Sequence, residues 1–317
     1  MKKPLIVLTG PTAVGKTKLS ISLAKAVNGE IISADSMQVY KYMDIGSAKI
    51  TRQEMQGVPH HLIDVLMPDE AFHIVKFQEL AKAAMKEIYD RGRIPILTGG
   101  TGFYIQAVTR DIDFTQAEQD DSYRRELEQA AEEKGADYLH EMLRMVDPAS
   151  ADAIHANNVK RVIRALEFYH QNKAPISLHN EEQKERKSPY CLGYYVLNAP
   201  RELLYRRIDQ RVDEMVDAGL VEEVRRLKSM GYHRDMVSMQ GLGYKEILAA
   251  LEGEYPLEEA IRIIKRDTRH FAKRQITWFK REPEVTWVSK DAFDYDEEKI
   301  LAFILDDWHR KCSEIKE

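Results

Sequence analysis

The stretch GPTAVGKT, from Gly10 to Thr17, most constrains how this chain of 317 residues can fold. It has the pattern G-x-x-x-x-G-K-[ST], which is a phosphate-binding loop (P-loop) when a strand precedes it and a helix follows it. The apolar run LIVLTG before the loop predicts the strand, and apolar residues at helical spacing after it predict the helix. In such a loop the backbone N–H groups face one concavity, Lys16 adds positive charge, and the Thr17 hydroxyl is a candidate ligand for Mg²⁺. The sequence therefore predicts a site for a polyphosphate.

Further apolar runs in the first third of the chain alternate with helical patterns. GEIISADS, HHLIDV and RIPILTGG predict three more strands, and FQELAKAAMKEIYDRG predicts a helix between two of them. Alternating strands and helices are typical of a parallel sheet with helices on both faces, and unbroken apolar runs suit strands buried on both sides. We therefore predict an α/β fold, a P-loop NTPase-like parallel sheet flanked by helices.

The pattern changes after Asp113. Residues 114–189 show helical periodicity and no convincing strand, whereas CLGYYVLNA, which begins at Cys191, predicts a strand that returns to the sheet. We therefore predict two domains. Residues 1–113 and 190–317 form a catalytic core, and residues 114–189 form an all-helical insertion domain.

Charge and cysteine content narrow the class of protein. The net charge is −5, yet residues 262–281 hold eight Lys and Arg against the single acid Asp267, which indicates a local anion-binding face. The two cysteines, Cys191 and Cys312, form no CxxC motif, which argues against a disulfide scaffold or a thiolate zinc site and fits a reducing cytoplasm. No apolar run approaches the roughly 20 residues of a membrane helix. We therefore expect a soluble, cytoplasmic protein that does not bind membranes.

The P-loop alone leaves the reaction open. A kinase or ATPase usually also has an acidic Mg²⁺ ligand, and Asp35 and Asp64, each near the end of an apolar run, are the candidates. No base-recognition motif of the GTPase kind is evident. The sequence therefore allows nucleotide hydrolysis but contains no motif that supports it.

Six further stretches accompany the P-loop in order between residue 10 and about residue 280. They are ISADSMQVYKYMDIGSAK (32–49), PHHLID (59–64), ILTGGTGFYIQA (96–107), RRIDQR (206–211), QGLGYKE (240–246) and AKRQITWF (272–279). Together with GPTAVGKT they resemble the tRNA dimethylallyltransferases, which attach a dimethylallyl group to an adenosine beside the anticodon. The resemblance is to the bacterial form, because the zinc-finger extension of the eukaryotic relatives is absent.

The resemblance implies that the P-loop holds the diphosphate of dimethylallyl diphosphate, with Mg²⁺ as cofactor; the loop's shape would also permit weak ATP binding. Alkylation expels diphosphate, so N–H donors, Lys16 and the metal ion would stabilise charge that builds on the leaving group. Arg207 and Arg211, four apart on a predicted helix, are implied to grip the diphosphate from the opposite side. A solvated arginine pair matched to Asp209 and Glu214 is the alternative. The implied diphosphate- or nucleotide-binding residues are Gly10, Pro11, Thr12, Ala13, Val14, Gly15, Lys16, Thr17, Arg207 and Arg211.

Asp35 is our candidate general base. The N6 amine of adenine is weakly basic, so a carboxylate that takes its proton would assist attack, and the resemblance implies this role for Asp35. An Asp that caps the following turn, or binds the metal through water, is the alternative. Ser36, Met37 and Gln38 would line the base pocket, where Gln38 can hydrogen-bond an adenine edge unless it is only a surface side chain. The implied catalytic residues are Asp35, Lys16, Thr17 and Arg211.

The resemblance also implies contacts with tRNA. Thr101 follows a strand end, where α/β folds place ligands, and is implied to touch the tRNA; a turn threonine is the alternative. The basic segment 262–281, with Arg262, Lys265 and Arg269, is the expected anticodon-stem contact unless it is only a solvated helix face. VKRVIRALE in the insertion domain, with Arg164, is expected to hold the RNA backbone. The implied tRNA-binding residues are Asp35, Ser36, Met37, Gln38, Thr101, Arg124, Val159, Lys160, Arg161, Val162, Ile163, Gln240, Lys273, Arg274 and Gln275.

Three alternative functions differ in what the rest of the chain must do. A P-loop small-molecule kinase predicts a shorter chain with an arginine-rich lid, and a prenyltransferase acting on free AMP would not need RNA-facing segments. A nucleic-acid-binding regulator with a vestigial nucleotide site leaves Lys16, Thr17, Asp35, Thr101 and Arg211 unexplained. We expect a monomer that needs no protein partner and acts on the anticodon stem-loop of tRNA with dimethylallyl diphosphate.

Overall fold

The computed structural model describes residues 2–114 and 121–314. Its strands are β1 (Pro4–Thr9), β2 (Gly29–Ala34), β3 (His60–His61), β4 (Ile94–Gly99), β5 (Cys191–Asn198) and β6 (Thr286–Ser289). They form one parallel sheet in the order β3–β2–β4–β1–β5–β6. The predicted α/β fold with a P-loop NTPase-like parallel sheet is confirmed.

Helices account for most of the remaining described residues. They are α1 (Lys16–Ala26), α2 (Ile74–Asp90), α3 (Gly102–Thr109), α4 (Asp121–Lys134), α5 (Ala136–Val146), α6 (Pro148–Ala153), α7 (Val159–Asn172), α8 (Ile176–Glu185), α9 (Arg201–Asp217), α10 (Leu220–Ser229), α11 (Tyr244–Leu251), α12 (Leu257–Phe279) and α13 (Glu297–Glu314), with short 3₁₀ helices at Ser238–Gln240 and Lys290–Phe293. Within the described ranges no helix is both long and apolar enough to span a membrane.

The chain divides into two compact units. One comprises Met1–Asp111 and Ser188–Glu317 and contains the sheet, and the other comprises Ile112–Lys187 and contains α4 to α8. Residues 115–120 of the predicted insertion domain lie outside the described residues.

The central strand of the first unit contributes to two separate hydrophobic clusters. Leu5 and Val7 of β1 lie in one cluster, and Ile6 and Leu8 lie in the other, because successive side chains of a strand point to opposite faces. All four side chains are fully buried. The sheet is therefore covered on both faces, as its unbroken apolar runs predict.

The predicted strand HHLIDV is shorter than expected. Only His60–His61 pairs with β2, because Leu62 (φ 62°) and Asp64 (φ 54°) adopt left-handed backbone conformations that interrupt an extended strand. The Asp64 carboxylate lies 2.6 Å from the ammonium group of Lys49. The second acidic candidate for a metal ligand is therefore already paired with a cation.

A buried carboxylate joins β2 to the elements beside it. Both oxygens of Glu30 accept hydrogen bonds from Arg91 (3.0 and 2.8 Å), and Arg93 and His61 contact them at 3.0 and 2.7 Å. Burial alone would raise the pKa of Glu30, but the bonds from Arg91 and His61 outweigh it and lower the pKa to about 2. Glu30 is therefore a charged anchor at the amino end of the sheet.

The helical unit has its own core and its own buried carboxylate. The core contains Leu127, Leu139, Leu143, Ala151, Val162, Ile163, Ala165 and Leu166. Asp147, 1% exposed, accepts hydrogen bonds of 2.7 to 3.0 Å from the N–H and hydroxyl groups of Ser150 and Ser177. Burial alone would raise the pKa of Asp147, but these bonds lower it. The carboxylate therefore stays ionised and fastens α6 to the start of α8.

Candidate active site

The P-loop turns at the carboxyl end of β1. Gly10 (φ 144°) and Gly15 (φ 89°) have positive φ angles, which glycine adopts without steric cost. A Cβ on Gly10 would lie 2.4 Å from the carbonyl oxygen of Leu197 in β5, so close packing also requires glycine there. Because α1 begins at Lys16, the end of the loop is also the start of the helix, where the first N–H groups have no partner within the helix. The local geometry is that of an anion-binding loop.

Lys16 lies among opposing charges. Its Nζ donates hydrogen bonds to the carbonyl oxygens of Gly10 (2.9 Å) and Pro11 (3.0 Å). Burial and the charge of Arg211 lower the pKa of Lys16 to about 8, whereas Asp35 acts in the opposite direction. An anion bound at the loop would raise this pKa again, because it favours the charged form. Lys16 is therefore suited to hold a phosphate group.

Arg211 reaches the same cluster from α9. Burial lowers the pKa of Arg211, and nearby carboxylates, Asp35 first among them, act in the opposite direction. Arg207 lies one turn earlier on the helix and is half-buried. Asp209, the acid proposed as a partner of a solvated arginine pair, is instead paired with Arg269. The structure thus places Arg211 close enough to Lys16 and Asp35 for their charges to interact. Arg207 belongs to the same helix as Arg211.

Asp35 follows the last residue of β2 and is half-buried. Its Oδ1 accepts hydrogen bonds from the backbone N–H groups of Met37 (2.8 Å) and Gln38 (3.4 Å). The turn-capping alternative is therefore present in the structure. It does not exclude a general base, because an ionised carboxylate has a second oxygen and several lone pairs. The capping bonds instead restrain the carboxylate that acts on Lys16 and Arg211.

The residues after Asp35 form a turn that is tied to the next loop. Ser36, Met37 and Gln38 are half-buried. The amide oxygen of Gln38 accepts a hydrogen bond from the hydroxyl of Ser33 (3.2 Å), and its amide nitrogen donates to the carbonyls of residues 47 and 48 at 3.4 Å. Gln38 is therefore more than a surface side chain, and a contact with adenine must compete with these bonds.

A carboxylate that sequence reasoning missed organises this loop. Glu223 in α10 is 5% exposed and accepts hydrogen bonds from the N–H groups of residues 44–46 (2.8 to 3.1 Å) and from the hydroxyl of Tyr244 (2.8 Å). Tyr244 belongs to QGLGYKE, and a Cβ on Gly241 of that motif would lie 2.4 Å from Cε of Met37. The motif therefore packs beside the turn that carries Asp35. No local pattern marks Glu223, because its partner Asp44 is 179 positions away.

Gln275 was predicted to contact tRNA, and in the structure its side chain lies inside the protein. Its side chain is 5% exposed. Its amide oxygen accepts a hydrogen bond from the N–H of Thr12 (2.9 Å), and its amide nitrogen donates to the carbonyl of Gly100 (3.0 Å). Both amide atoms are used inside the protein, so Gln275 links the P-loop to the end of β4.

Thr101 and Gln240 are accessible at element ends. Thr101 is half-buried at the residue before α3, and its N–H donates to the carbonyl of Ala34 at 3.3 Å. Gln240 is exposed at the end of its 3₁₀ helix and donates to the carbonyl of Arg234. The P-loop, Thr101 and Asp35 follow β1, β4 and β2, which are neighbours in the sheet, so the site lies at the carboxyl ends of adjacent strands.

The basic segment on α12 divides into two parts. Its N-terminal cations are paired with acids, in the pairs Arg262–Glu259, Lys265–Asp213, Arg266–Asp267 and Arg269–Asp209. Within residues 2–114 and 121–314, Lys273, Arg274, Lys280 and Arg281 have no acidic partner. An open groove of about 470 Å³ is lined by His270, Lys273, Arg274, Thr277, Trp278 and Arg281. The available positive charge therefore lies at the C-terminal half of the helix, which narrows the expected set of phosphate contacts.

The predicted RNA-binding residues of the helical unit differ in how exposed they are. Lys160 and Arg161 are exposed in the first turn of α7, as is Arg164 in the next turn, and Val159 is half-buried. The list of predicted contacts also included Arg124, which pairs bidentately with Glu167 at 2.9 Å, and Val162 and Ile163, which are 0% and 3% exposed in the core. The side chains of Val162 and Ile163 therefore pack in the core of this unit, and an RNA contact at these two positions stays a prediction.

Lys290 approaches the P-loop from the second 3₁₀ helix, and no sequence pattern indicated it. It is 4% exposed, and its Nζ lies 3.5 Å from Oε1 of Glu297. A Cβ on Gly15 would lie 3.1 Å from the same Nζ. Lys290 therefore adds a buried positive charge beside the last glycine of the P-loop.

The donor set suits Mg²⁺ better than a metal held by protein side chains alone. In the described part of the chain no group of three His, Cys, Asp or Glu residues is arranged to hold a metal ion. Thr17 is exposed in the first turn of α1. Mg²⁺ usually keeps several waters and binds through few protein oxygens together with substrate phosphates. The Thr17 hydroxyl at the phosphate-binding loop is consistent with this mode of Mg²⁺ binding.

The chain matches a known family and is similar in sequence to named relatives. A model of the family described as IPP transferase matches residues 38–282. The chain is 62% identical over 294 residues to a tRNA dimethylallyltransferase of Lachnoclostridium phytofermentans, covering 93% of this chain and 94% of the relative. It is 52% identical over 303 residues to a tRNA dimethylallyltransferase of Carboxydothermus hydrogenoformans, covering 95% and 97%.

Two solved structures of transferases are also similar to this chain. A tRNA isopentenylpyrophosphate transferase from Bacillus halodurans is 46% identical with a TM-score of 0.75, covering 100% of both chains. A eukaryotic dimethylallyltransferase solved in the act of modifying tRNA is 32% identical with a TM-score of 0.80, covering 90% of this chain and 74% of that one.

Proposed function

This chain belongs to the IPP transferase family, and we propose that it transfers a dimethylallyl group from dimethylallyl diphosphate to tRNA. The acceptor in this proposal is the N6 amine of the adenosine 3′ of the anticodon, and diphosphate is released. The relatives named above as tRNA dimethylallyltransferases support the transfer to tRNA. The donor and the acceptor atom are those implied by the resemblance to the tRNA dimethylallyltransferases, and the chemistry of the site supports them.

The observation that carries the proposal is the convergence of Lys16, Arg211 and Asp35 at the carboxyl ends of β1 and β2. Two cations beside a P-loop suit a leaving group whose negative charge grows as the allylic C–O bond breaks. The electron pair of that bond goes to a diphosphate oxygen. Lys16, Arg211 and the loop N–H groups would stabilise this charge more in the transition state than in the substrate. Mg²⁺ held at Thr17 would neutralise further charge on the same oxygens.

Asp35 supplies the complementary function at the nucleophile. The N6 lone pair forms the new bond to the allylic carbon, and the amine must lose a proton to become neutral again. The carboxylate of Asp35 accepts that proton. Its capping bonds from Met37 and Gln38 keep the carboxylate in place while this happens, which is the requirement for a general base.

The RNA is held through exposed cations and strand-end residues. On the unit that contains the sheet, Lys273 and Arg274 at the groove of α12 are proposed to bind phosphates, and Thr101 and residues 36–38 to contact the target nucleotide. On the helical unit, Lys160 and Arg161 are proposed to bind the RNA backbone. An adenine inside a stacked anticodon loop is out of reach, so the base must leave the stack before transfer.

The experiment that tests this function offers the same labelled donor to two acceptors. Purified protein and Mg²⁺ are incubated with radiolabelled dimethylallyl diphosphate and either unmodified tRNA or AMP. We expect label in tRNA and none in AMP, and digestion of the product with nuclease and phosphatase should release labelled N6-dimethylallyladenosine. Label in AMP alone would assign the chain to free-nucleotide prenyltransferases, and absence of label in both would refute prenyl transfer.

A further inference from the structure

The chain's two cysteines meet, although they are 121 positions apart. Sγ of Cys191 lies 3.2 Å from Sγ of Cys312. Cys191 is the first residue of β5 and is 4% exposed, and Cys312 lies near the end of α13 and is half-buried. Because the chain of 317 residues has no other cysteine, no third thiol competes with this pair.

The contact between the two elements is held by several neighbouring residues. The hydroxyl of Tyr195 in β5 donates to Asp307 of α13 at 2.9 Å, and Lys311 donates to the hydroxyl of Thr286 in β6 at 3.0 Å. Trp308 packs so closely on β5 that a Cβ on Gly193 would lie 2.8 Å from its ring. The thiols are therefore kept in register by packing that does not depend on them.

We propose that Cys191 and Cys312 form an oxidisable dithiol site, which takes a peroxide as its two-electron oxidant and becomes a disulfide. The more exposed Cys312 reacts first: its sulfur attacks the peroxide oxygen, forming a sulfenic acid and releasing water. The Cys191 sulfur then forms the S–S bond and displaces a second water. In total two thiols lose two hydrogen atoms, and hydrogen peroxide is reduced to two molecules of water.

The geometry requires only a small adjustment. A disulfide has an S–S distance of about 2.05 Å, so the sulfur atoms must approach by about 1.2 Å from their 3.2 Å separation. Rotation about the side-chain torsions provides movement on this scale. The bond closes a long loop of chain, which stabilises the fold mainly by restricting the unfolded state. For this chain we expect Tm to rise by roughly 5–10 °C.

The dithiol site lies away from the proposed active site. Cys191 is in register with Pro4 at the amino end of β1, and the P-loop follows the carboxyl end of that strand, about 20 Å away at the usual rise per residue. The inference therefore does not rest on the proposed function. We expect the disulfide to fasten the C-terminal helix to the sheet without altering the loop.

The test compares the reduced and peroxide-treated forms of the unaltered protein. Fully reduced protein, freed of reductant, is treated with a slight excess of hydrogen peroxide, and intact mass, thiol content after denaturation and Tm are measured. We expect loss of two hydrogen atoms, no remaining thiol, a monomer on a non-reducing gel, and a higher Tm that dithiothreitol reverses. Gain of oxygen without loss of hydrogen, a disulfide-linked dimer, or a Tm that stays unchanged or falls would each overturn the proposal.

Cys312→Ser provides the matched control, because it removes one sulfur at the more exposed position and leaves the buried Cys191 in place. Peroxide should then cause neither the loss of two hydrogen atoms nor the rise in Tm. A rise in Tm of the same size in this variant would mean that another oxidised residue is responsible, and it would equally overturn the proposal.

Discussion

At the scale of single residues, Lys16 has the environment that most directly predicts a measurable response. Its pKa of about 8 lies far below that of an ordinary lysine, so the side chain is charged below this pH and neutral above it. The charged form holds the diphosphate much more tightly than the neutral form, because it adds a positive charge beside the phosphate oxygens. We therefore expect kcat/KM for dimethylallyl diphosphate to fall above about pH 8 by about tenfold per pH unit, because this ratio reports the pKa values of the free enzyme.

The control for this prediction is Lys16→Arg, whose guanidinium stays charged throughout the range. Its kcat/KM, whatever its absolute value, should lack the decline when both proteins are assayed from about pH 6 to about pH 10. A wild-type profile that is flat across this range, or an identical decline in the arginine variant, would remove Lys16 as the titrating group.

Gln275, which resemblance to a family predicts as a tRNA contact, has its hydrogen-bond partners inside the protein. It bridges Thr12 of the P-loop and Gly100 after β4, so Gln275→Ala removes two hydrogen bonds worth about 1 kcal/mol each. We expect KM for dimethylallyl diphosphate to rise about tenfold or more, with the Kd for tRNA within about twofold of wild type. Lys273→Ala, two positions earlier, should instead raise the Kd for tRNA and leave KM for dimethylallyl diphosphate close to that of wild type. A large loss of tRNA affinity in the Gln275 variant would contradict this expectation and support the predicted contact between Gln275 and tRNA.

At the scale of elements, α12 combines two kinds of basic residue in one helix. The cations of its N-terminal half are neutralised by neighbouring acids, whereas Lys273 and Arg274 line the groove. Replacing Lys273 and Arg274 together by Ala should weaken tRNA binding and reduce the slope of log K against log salt by about one unit per lost phosphate contact. Filter binding over a series of salt concentrations measures this slope.

The matched control is the double variant Arg262→Ala and Arg266→Ala, which removes two positive charges from the same helix. Because both arginines already pair with acids, its salt slope should stay close to that of wild type. Equal slopes for the two double variants would show that the groove is not the RNA-binding part of the helix.

The anchor at Glu30 predicts how β2, β3 and the end of α2 respond to acid. The folded-state pKa of Glu30 is about 2, against an ordinary value of 4.5, so its stabilisation is complete above about pH 4.5 and is lost as the pH falls toward 2. Glu30→Gln should lower the free energy of unfolding at neutral pH by about 3 kcal/mol, because it breaks a buried ion pair.

Denaturant unfolding of both proteins at several pH values checks this prediction. The difference in the free energy of unfolding should be constant above about pH 4.5 and shrink below it, because protonation of Glu30 weakens the same pair in the wild type. A difference that stays constant from pH 7 down to about pH 2.5 would contradict an ionised Glu30 as the anchor.

At the scale of the whole molecule, what could be predicted from sequence depends on how local each feature is. The P-loop was predictable because one strand, one loop and one helix that are adjacent in the chain form it, and the parallel sheet was predictable from unbroken apolar runs. The strand HHLIDV was predicted too long, because the left-handed conformations at Leu62 and Asp64 depend on the fold and not on residue type.

The parts of the site that escaped prediction are those made by distant residues. Gln275 meets Thr12 across 263 positions, and Glu223 meets Asp44 across 179. Lys290 meets Gly15 only because β6 lies at the edge of the sheet, beyond β5. No periodicity or local spacing encodes such pairs. The roles of Asp35 and Arg211 came from resemblance to a family, and the structure adds their shared electrostatic environment with Lys16.

The central claim is that Asp35 accepts the N6 proton while the P-loop cluster stabilises the departing diphosphate. The most direct test is single-turnover transfer to tRNA, at saturating tRNA and dimethylallyl diphosphate, by wild type, Asp35→Asn and the exposed control Asp306→Asn. We predict that Asp35→Asn lowers the rate of transfer by about 10²–10⁴-fold, with tRNA affinity largely retained and Asp306→Asn unchanged. A single-turnover rate for Asp35→Asn within a few-fold of wild type would contradict the claim.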